Sequence, residues 1–140
     1  MQGNVEFKNV SFRYPGAGED ALKNISFKAL PGKTTAFIGS TGSGKTTLVN
    51  LIMRFYDVAA GEVLVDGINV KKITQHELRD KIGYVPQKGY LFSGTIESNL
   101  KYGDRNVSSA GINHAVEISQ SEEFINEKTK GIKSENNNKI

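Results

Sequence analysis

The front of the chain alternates apolar and polar positions, which is typical of half-buried β-strands. Residues 5–14 (VEFKNVSFRY) follow this pattern, residues 15–18 (PGAG) break it, and residues 21–28 (ALKNISFK) resume it. Residues 31–33 (PGK) then provide a turn. We predict an antiparallel hairpin or small β-subdomain from this segment.

The next segment has a different pattern of apolar positions. Residues 34–38 (TTAFI) form a short, continuous, apolar and β-branched run, which is typical of a strand buried on both faces. A glycine-rich stretch follows, and residues 46–55 then predict a helix, because apolar side chains recur at helical spacing. Those apolar positions are Leu48, Leu51, Ile52 and Phe55. The order of strand, glycine-rich loop and helix locates the main candidate site.

Shorter elements fill the rest of the chain. Their predicted bounds are a two-stranded hairpin at 61–70, a helix at 75–81, a strand at 82–87, and helices at 108–118 and 121–127. An Asp66-Gly67 pair supplies the hairpin turn, Thr74 is placed to cap the first of these helices, and Pro86 ends the strand. At 140 residues the elements fit one domain with one core.

Composition divides the chain into a folded part and a polar tail. The chain is 37% hydrophobic and 24% charged, which is ordinary for a globular protein. From residue 128 onward the sequence is polar, rich in Asn and Lys, and without periodicity. We therefore predict a domain over residues 1–127 and a disordered tail over residues 128–140.

Charge and residue counts exclude several classes of function. The net charge of +3 suits an anionic ligand, but it is too small and too dispersed to indicate nucleic-acid binding. Cysteine is absent and His76 and His114 lie far apart, so we expect no metal held by protein side chains alone. The sequence has no apolar run near the roughly 18 residues of a membrane span, and no signal-peptide pattern. The expected location is the cytoplasm.

The glycine-rich stretch carries the strongest chemical signal. Residues 39–46 (GSTGSGKT) match the phosphate-binding pattern G-x-x-x-x-G-K-[ST] at every fixed position. Glycines let the backbone approach phosphates closely, and successive N–H groups at a helix N-terminus favour anions. Lys45 brings a cation to the β- and γ-phosphates, and the Thr46 hydroxyl is placed to bind Mg²⁺. The predicted nucleotide-binding residues here are Gly39, Ser40, Thr41, Gly42, Ser43, Gly44, Lys45, Thr46 and Thr47.

Two further segments resemble motifs of ABC-transporter nucleotide-binding domains. Residues 11–15 (SFRYP) resemble the aromatic loop that precedes the phosphate loop in this family, which implies that Tyr14 stacks on adenine. Residues 82–87 (IGYVPQ) resemble the family's glutamine loop, which implies that Gln87 reaches Mg²⁺ and the attacking water. Taken alone, Tyr14 also fits a strand-end aromatic, and Gln87 a polar residue at a strand end.

The resemblance extends over most of the chain. Residues 91–100 (LFSGTIESNL) are similar to the F-x-G-T-I-x-E-N-I stretch of exporter-type ABC domains, with Ser98 where that pattern usually has Glu. Residues 61–67 (GEVLVDG) also resemble the family's turn after its first helix. The matching segments run in the expected order from about Gly3 to Asn126, and they look most like the ATPase domain of a multidrug or lipid exporter.

This resemblance implies an α/β P-loop NTPase fold, with a RecA-like core and an N-terminal antiparallel β-subdomain. It implies ATP and Mg²⁺ as ligands, catalytic roles for Lys45 and Gln87, and Mg²⁺ binding by Thr46 and Gln87. The expected partners are the transmembrane domain of an ABC transporter, through residues 87–100, and a second nucleotide-binding domain. Such an assembly places the chain at the inner face of the cell membrane.

The family's later motifs are missing from the sequence. It contains no L-S-G-G-Q signature, no Walker B strand ending in Asp-Glu, no D-loop and no switch histidine. Asp66 imitates a Walker B aspartate, but glycine follows it, and His114 precedes the place of the signature. We therefore expect an incomplete domain that binds ATP without hydrolysing it alone. We also expect the apolar faces of residues 34–38 and of the helix over residues 48–55 to stay partly uncovered.

Other interpretations stay open. A remnant that binds nucleotide without turnover, or a fragment that docks on a membrane subunit, would carry the same loop. A P-loop GTPase would need an N-K-x-D motif for guanine, and only Asn138-Lys139-Ile140 comes near it. A small-molecule kinase would need an arginine-bearing lid, yet Arg105 is the last arginine. These two enzyme classes are the weaker alternatives.

Overall fold

The computed structural model describes residues 2–136 of the chain. Two compact units divide these residues, and the division falls between Tyr84 and Val85. The first unit contains the four-stranded β-sheet and the glycine-rich loop, and the second contains three helices. Within residues 2–136, none of the helices combines the length and the apolar character that crossing a membrane requires.

The first unit is built on a four-stranded antiparallel sheet with the strand order β2-β1-β3-β4. The strands are β1 Val5–Phe12, β2 Leu22–Ala29, β3 Ala60–Val65 and β4 Ile68–Asn69. The alternation of apolar positions in the front segment is the reason, because it gives β1 and β2 one face for the core. The predicted N-terminal antiparallel β-subdomain is confirmed, and β3 and β4 extend it.

A glycine sets the path of the sheet where β3 begins. The pairing of β1 with β3 shifts register between Lys8 and Ser11, and Asn9 there has a left-handed φ of 48°. Gly61 faces this irregularity with a φ of 77°, and a Cβ on it would collide with the carbonyl oxygens of Lys8 and Asn9. Only glycine therefore allows the two backbones to approach this closely.

The helices of the first unit are α1 Lys45–Ile52 and α2 Gln75–Arg79, with a 3₁₀ turn at Val70–Lys72 before α2. The hairpin turn predicted at Asp66-Gly67 is present, with φ angles of 49° and 79°, as a turn with two left-handed central residues requires. The predicted helix after Thr74 is also confirmed. Thr74 and Glu77 form a reciprocal capping box at its start.

A single apolar cluster joins the sheet to both helices of the first unit. Leu78 of α2 and Leu51 of α1 are almost completely buried in it, as are Val10 and Phe7 of β1. The other buried members are Phe12, Leu22, Leu48, Val58, Val63, Val65 and Val70. Burial of these side chains stabilises the unit and holds α1, and with it the glycine-rich loop, beside the sheet.

The prediction of a buried strand at 34–38 is wrong for this structure. Residues 33–40 form no helix or strand and are exposed, with Ile38 98% exposed. Phe37 has one aromatic neighbour, the ring of Phe27 at 4.9 Å. A strand exists only where a neighbouring strand accepts its hydrogen bonds, and residues 2–136 supply none for this segment. The exposure agrees with the expectation for residues 34–38. On the helix that follows, Leu48 and Leu51 are buried, so the expectation is wrong for that part of the helix face.

The strand predicted at 82–87 is absent for the same reason. Residues 82–86 have no regular structure, and Val85 is 92% exposed. No strand among the described residues pairs with this segment. Both corrected segments are short apolar runs, and such runs form strands only when a sheet receives them.

The second unit contains three helices and a short two-stranded ladder. The helices are α3 Ile96–Leu100, α4 Ser109–Ile118 and α5 Glu122–Asn126, and β5 Gly94–Thr95 pairs antiparallel with β6 Glu135–Asn136. The buried side chains of Ile112, Val116 and Ile125 form its small core. Both predicted helices after residue 107 are thereby present, with Ser108 capping α4 through the N–H of Gly111.

Part of the segment expected to be disordered has regular structure. Residues Gly131–Lys133 form a 3₁₀ turn, and β6 follows it. Ile132 explains the difference, because this lone apolar side chain packs against the α4–α5 cluster and anchors an otherwise polar stretch. The expectation of disorder is therefore wrong for residues 131–136. Residues 137–140, which include the Asn138-Lys139 pair, lie outside the described residues.

Candidate nucleotide-binding site

The glycine-rich loop leads directly into helix α1, and Gly44 forms the junction. Gly44 is the N-cap residue, with a left-handed φ of 87°. A Cβ on Gly44 would lie 2.7 Å from Leu22 Cδ2 and 3.0 Å from the carbonyl oxygen of Ala21. The close contact with the start of β2 therefore requires glycine, and it fixes the direction in which α1 begins.

Two other glycines shape the loop ahead of this junction. Gly42 has a left-handed φ of 83°, and the N–H of Ser43 donates to the carbonyl of Ser40 at 3.2 Å, which closes a tight turn. A Cβ on Gly39 would collide with the Ser43 hydroxyl. The loop is thus compact and made largely of backbone, which is the character of anion-binding concavities.

The Lys45 ammonium folds back over the loop. Its Nζ donates to the carbonyl oxygens of Gly39 at 2.6 Å and Ser40 at 2.7 Å, and to Ser43 Oγ at 3.1 Å. An ammonium has three protons, so these three oxygens occupy all of its donors. The cation is held in the concavity by neutral oxygens, which phosphate oxygens can replace with stronger, charge-assisted hydrogen bonds.

The N-terminus of α1 has no internal partner for its charge. Gly44 provides no side-chain cap, and the first turn of the helix contains no acidic residue. The first N–H groups of a helix have no intrahelical acceptor, and they carry the positive end of the helix dipole. An anion at the loop would satisfy them, so the donor set of loop, helix and Lys45 fits a polyphosphate.

The two threonines after Lys45 have opposite environments. Thr46 is exposed, whereas Thr47 is only 5% exposed and its Oγ1 lies 3.0 Å from the Tyr14 hydroxyl. The exposed Thr46 hydroxyl is an oxygen donor of the type that Mg²⁺ prefers. Within residues 2–136, no cluster of three acidic, histidine or cysteine side chains could hold a metal ion. A magnesium ion here would take the Thr46 hydroxyl and oxygens of a bound phosphate among its ligands.

Tyr14 lies just beyond β1, beside α1. Its carbonyl accepts from the N–H of Ala17 at 3.0 Å, and Gly16 has a φ of 79°, so residues 14–17 form a tight turn. The half-buried ring of Tyr14 meets Phe12 and Tyr56 nearly at right angles, with centroids 4.8 and 5.1 Å away. The contact of its hydroxyl with Thr47 brings Tyr14 together with α1.

Gln87 belongs to the second unit, in an exposed stretch without regular structure. Its predicted roles in catalysis and in Mg²⁺ binding stay predictions. Hydrogen bonds of one side chain organise residues 91–100, the segment that is similar to exporter-type ABC domains. Asn99 accepts from the N–H of Phe92 at 2.8 Å, and its Nδ2 donates to the carbonyls of Phe92 at 2.9 Å and Thr95 at 3.0 Å. Asn99 therefore fixes the loop ahead of α3.

Asp66 and His114, the imitators of later motifs, have structural environments. The Asp66 carboxylate accepts from the backbone N–H groups of Gln2 at 2.9 Å, Gly3 at 2.9 Å and Asn4 at 2.8 Å. These hydrogen bonds, that from Asn4 above all, hold the pKa of Asp66 below its usual value. Asp66 thus holds residues 2–4, which directly precede β1, in place. His114 is exposed on α4, with Nδ1 3.7 Å from Glu117 Oε2.

Sequence reasoning missed three side chains that organise the candidate regions, namely Asn50, Tyr56 and Asn99. Asn50 follows Thr47 by three residues, so helical spacing places the two on one face of α1. That spacing was the only available signal. The contacts of Asn50 and Tyr56 with Tyr14 join residues more than 30 positions apart, and no local pattern encodes them.

Known proteins resemble this chain over most of its length. The family model for ABC transporters matches residues 22–137. An uncharacterized ABC transporter ATP-binding protein of Mycobacterium tuberculosis is 48% identical over 128 residues, which cover 89% of this chain and 22% of that protein. ABC transporter B family member 13 of Arabidopsis thaliana is 42% identical, over 96% of this chain and 11% of its own length.

A further relative and a solved structure also resemble this chain. A fatty acid ABC transporter ATP-binding/permease protein of Mycobacterium bovis is 40% identical, over 90% of this chain and 20% of that protein. A solved structure of a bacterial Atm1-family ABC exporter with ATP bound matches with a TM-score of 0.90 and 35% identity, over 96% of this chain and 24% of that one. This chain thus spans between about a tenth and a quarter of the length of these relatives.

The likeness in sequence and the likeness in structure agree. The family model spans the phosphate loop, α1 and the second unit, and the likeness to the solved exporter covers 96% of the chain. The fold is that of the ABC ATPase domain, a P-loop NTPase fold with an N-terminal antiparallel sheet. The chain belongs to the ABC transporter family.

Proposed function

We propose that this chain binds MgATP as the nucleotide-binding part of an ABC exporter. The observation that supports this most strongly is the seat of Lys45, whose ammonium is held over the loop by the carbonyls of Gly39 and Ser40. The uncapped N-terminus of α1 lies directly beside it in sequence. A site that combines a cation, a compact backbone loop and a helix N-terminus suits a triphosphate.

Each site residue has a defined part in this proposal. Lys45 exchanges its neutral loop oxygens for the β- and γ-phosphate oxygens, and Thr46 contributes a hydroxyl to Mg²⁺, which neutralises charge on the phosphates when bound. The backbone N–H groups of residues 44–47, at the start of α1, would donate to the phosphate oxygens. Tyr14 offers its ring to the adenine base. Gln87 serves as the second Mg²⁺ ligand and orients the attacking water.

We propose that the 140-residue chain alone binds ATP without turning it over. Hydrolysis needs a group that polarises water and groups that stabilise the transition state. The Walker B glutamate and the signature motif that supply these in the family do not occur in this sequence. In the complete transporter, the chain would contribute the phosphate grip, and hydrolysis would drive transmembrane transport.

The proposed partners follow from the second unit and from the family. Exposed apolar side chains cluster in sequence at Tyr90, Leu91 and Phe92, within the segment 87–100 that would contact the transmembrane domain. The relative from Mycobacterium bovis is described as an ATP-binding/permease protein, which joins the two functions in one chain. A second nucleotide-binding domain would complete the site. The chain would then lie on the cytoplasmic side of the membrane, at its inner face.

Calorimetric titration with MgATP tests the proposal. Wild type should bind, and Lys45→Ala should weaken binding at least tenfold, because removing a charged hydrogen-bond partner costs roughly 1.5–3 kcal/mol. Lys33→Ala, which removes an exposed lysine of the turn before the loop, is the matched control and should bind as wild type does. A folded wild-type chain that does not bind MgATP would contradict the proposal.

Phosphate release measured on the same samples tests the claim about turnover. We expect no ATP-dependent release from the wild-type chain above the level of Lys45→Ala. Turnover that disappears in Lys45→Ala would show that this chain contains a complete hydrolytic site, and the proposed division of labour would be wrong. Binding without turnover is the expected result.

A further inference from the structure

The Tyr14 hydroxyl is tied to the helix that carries the phosphate loop. It lies 3.0 Å from Thr47 Oγ1, and the amide of Asn50 donates to it at 3.4 Å. Thr47 and Asn50 are three residues apart on α1 and therefore share one helix face. Because Asn50 donates to the Tyr14 oxygen, the Tyr14 proton is free to be donated to Thr47, which makes the pair of bonds mutually compatible.

The position of Thr47 makes this contact unusual for a polar pair. Thr47 is the only polar side chain among the buried residues described, at 5% exposed. A buried hydroxyl without a partner would cost stability, and Tyr14 supplies that partner. Thr47 directly follows Thr46 and Lys45, so the hydroxyl contact joins the turn after β1 to the first turn of the phosphate helix.

Other contacts fix the ring and leave it little freedom. The turn at residues 14–17 holds the backbone of Tyr14, and the rings of Phe12 and Tyr56 meet it edge to face. Edge-to-face aromatic pairs are favourable and directional. The ring is thus set by two aromatic neighbours on its sides and by α1 at its hydroxyl end.

We propose that Thr47, assisted by Asn50, is a positioning residue for the nucleotide base. It holds the Tyr14 ring at a fixed distance from the phosphate helix. The ring can then contact the base of a nucleotide while the loop and α1 bind its triphosphate. This inference rests on the proposed binding of ATP. Its consequence is selective, since losing the hydroxyl contact weakens the base contribution to affinity and spares the phosphate contribution. Preorganisation of a ring contributes affinity by lowering the ordering cost on binding.

The test compares two ligands, MgATP and magnesium tripolyphosphate, which has the phosphates without the base. Thr47→Val keeps the shape of the side chain and removes the hydroxyl, and Tyr14→Phe removes the other half of the contact. We expect either variant to bind MgATP about 3- to 10-fold more weakly, the effect of losing one net hydrogen bond. Affinity for tripolyphosphate should stay within about twofold of wild type, because this ligand has no base for the Tyr14 ring to contact.

Two further variants serve as controls. Thr47→Ser retains the hydroxyl and should bind MgATP as wild type does. Tyr102→Phe removes the hydroxyl of an exposed tyrosine to which the proposal assigns no role, and it should also bind normally. Tyr14→Phe keeps the half-buried ring and removes only its hydroxyl, so it tests the contact if Thr47→Val fails to fold.

Two results would overturn the inference and leave the proposed function intact. The first is wild-type affinity for MgATP in both Thr47→Val and Tyr14→Phe while Lys45→Ala loses binding. The second is an equal loss of MgATP and tripolyphosphate affinity, which would assign Thr47 to the phosphate loop alone. Failure of wild type to bind either ligand would instead contradict the proposed function itself.

Discussion

Helices α1 and α2 lie in the same unit and pack into the same core, but their N-termini differ. α2 satisfies its own first turn, since the Thr74 hydroxyl accepts from the N–H of Glu77 and the Glu77 carboxylate accepts from the N–H of Thr74. α1 begins at Gly44, with no side-chain cap and no acidic residue. One helix start is capped by its own side chains, and the other has no side-chain cap.

The difference shows where the chain gives up local stability. Compared with glycine, a capping side chain contributes a few tenths of a kcal/mol, and an acidic side chain in the first turn adds about 0.3–1 kcal/mol. α1 has neither, although a serine, threonine or aspartate in place of Gly44 would supply one. The close contacts of Gly44 with Leu22 and Ala21 explain why none stands there. A ligand anion would take the place of the missing cap.

The largest effect is expected from a carboxylate at the second position of each helix. Thr46→Glu places a negative charge at the start of α1, where it would compete with the phosphates, and we expect MgATP affinity to fall about 100-fold or more. The free chain should become slightly more stable, by about 0.3–1 kcal/mol, because the charge complements the helix dipole.

His76→Glu is the matched variant, since His76 occupies the same position in α2 and is exposed. It should leave MgATP affinity unchanged within about twofold, because only α1 faces the ligand. Calorimetry and thermal melting of the two variants measure both quantities. Equal effects of the two substitutions on binding would remove the distinction between the helices.

A smaller effect is expected from a methyl group at the α1 N-cap. Gly44→Ala should lower the free energy of unfolding by about 2 kcal/mol or more, since it adds left-handed strain to a contact with Leu22. Gly42→Ala has the same strain but no atom within 4 Å of its Cβ, so it should cost only about 1–2 kcal/mol. Urea denaturation gives both values, and equal costs would mean that packing on β2 does not shape this helix start.

The start of α2 could be predicted from the sequence, and the surroundings of α1 only in part. Thr74 and Glu77 lie three positions apart, and this spacing encodes the capping box without reference to the rest of the fold. The phosphate pattern likewise predicts the start of α1. The strand expected at 34–38 did not follow, because a strand needs a neighbour, and the described residues offer none. The contact of Tyr14 with Thr47 joins distant positions and has no local signature.

Removal of the α2 cap should have an intermediate effect on stability and none on binding. Thr74→Ala should lower the free energy of unfolding by about 1 kcal/mol. Thr35→Ala, in the exposed segment without regular structure, is the control and should change stability by less than about 0.5 kcal/mol. Thermal melting measures both, and an unchanged melting temperature for Thr74→Ala would show that the capping box does not stabilise α2.

The smallest effect is the pH dependence of stability that Glu77 contributes at the start of α2, since the first turn of α1 has no acidic residue. The hydrogen bonds from Thr74 hold the pKa of Glu77 below its usual value of 4.5. A carboxyl whose pKa is lowered on folding stabilises the fold above its unfolded pKa, and this stability is lost as pH falls through the folded pKa. The melting temperatures of wild type and Glu77→Gln should therefore converge as the pH falls below 4.5. A constant difference across this range would contradict the assignment.

The central claim is that the open N-terminus of α1 binds the phosphates of a nucleotide. Titration of the ¹⁵N-labelled chain with MgATP, followed by the amide resonances of both helices, tests it most directly. We expect large, saturable shifts for the amides of Gly44, Lys45 and Thr46, with little change for those of Gln75 and His76. Shifts confined to other regions, or equal shifts at the two helix starts, would contradict it.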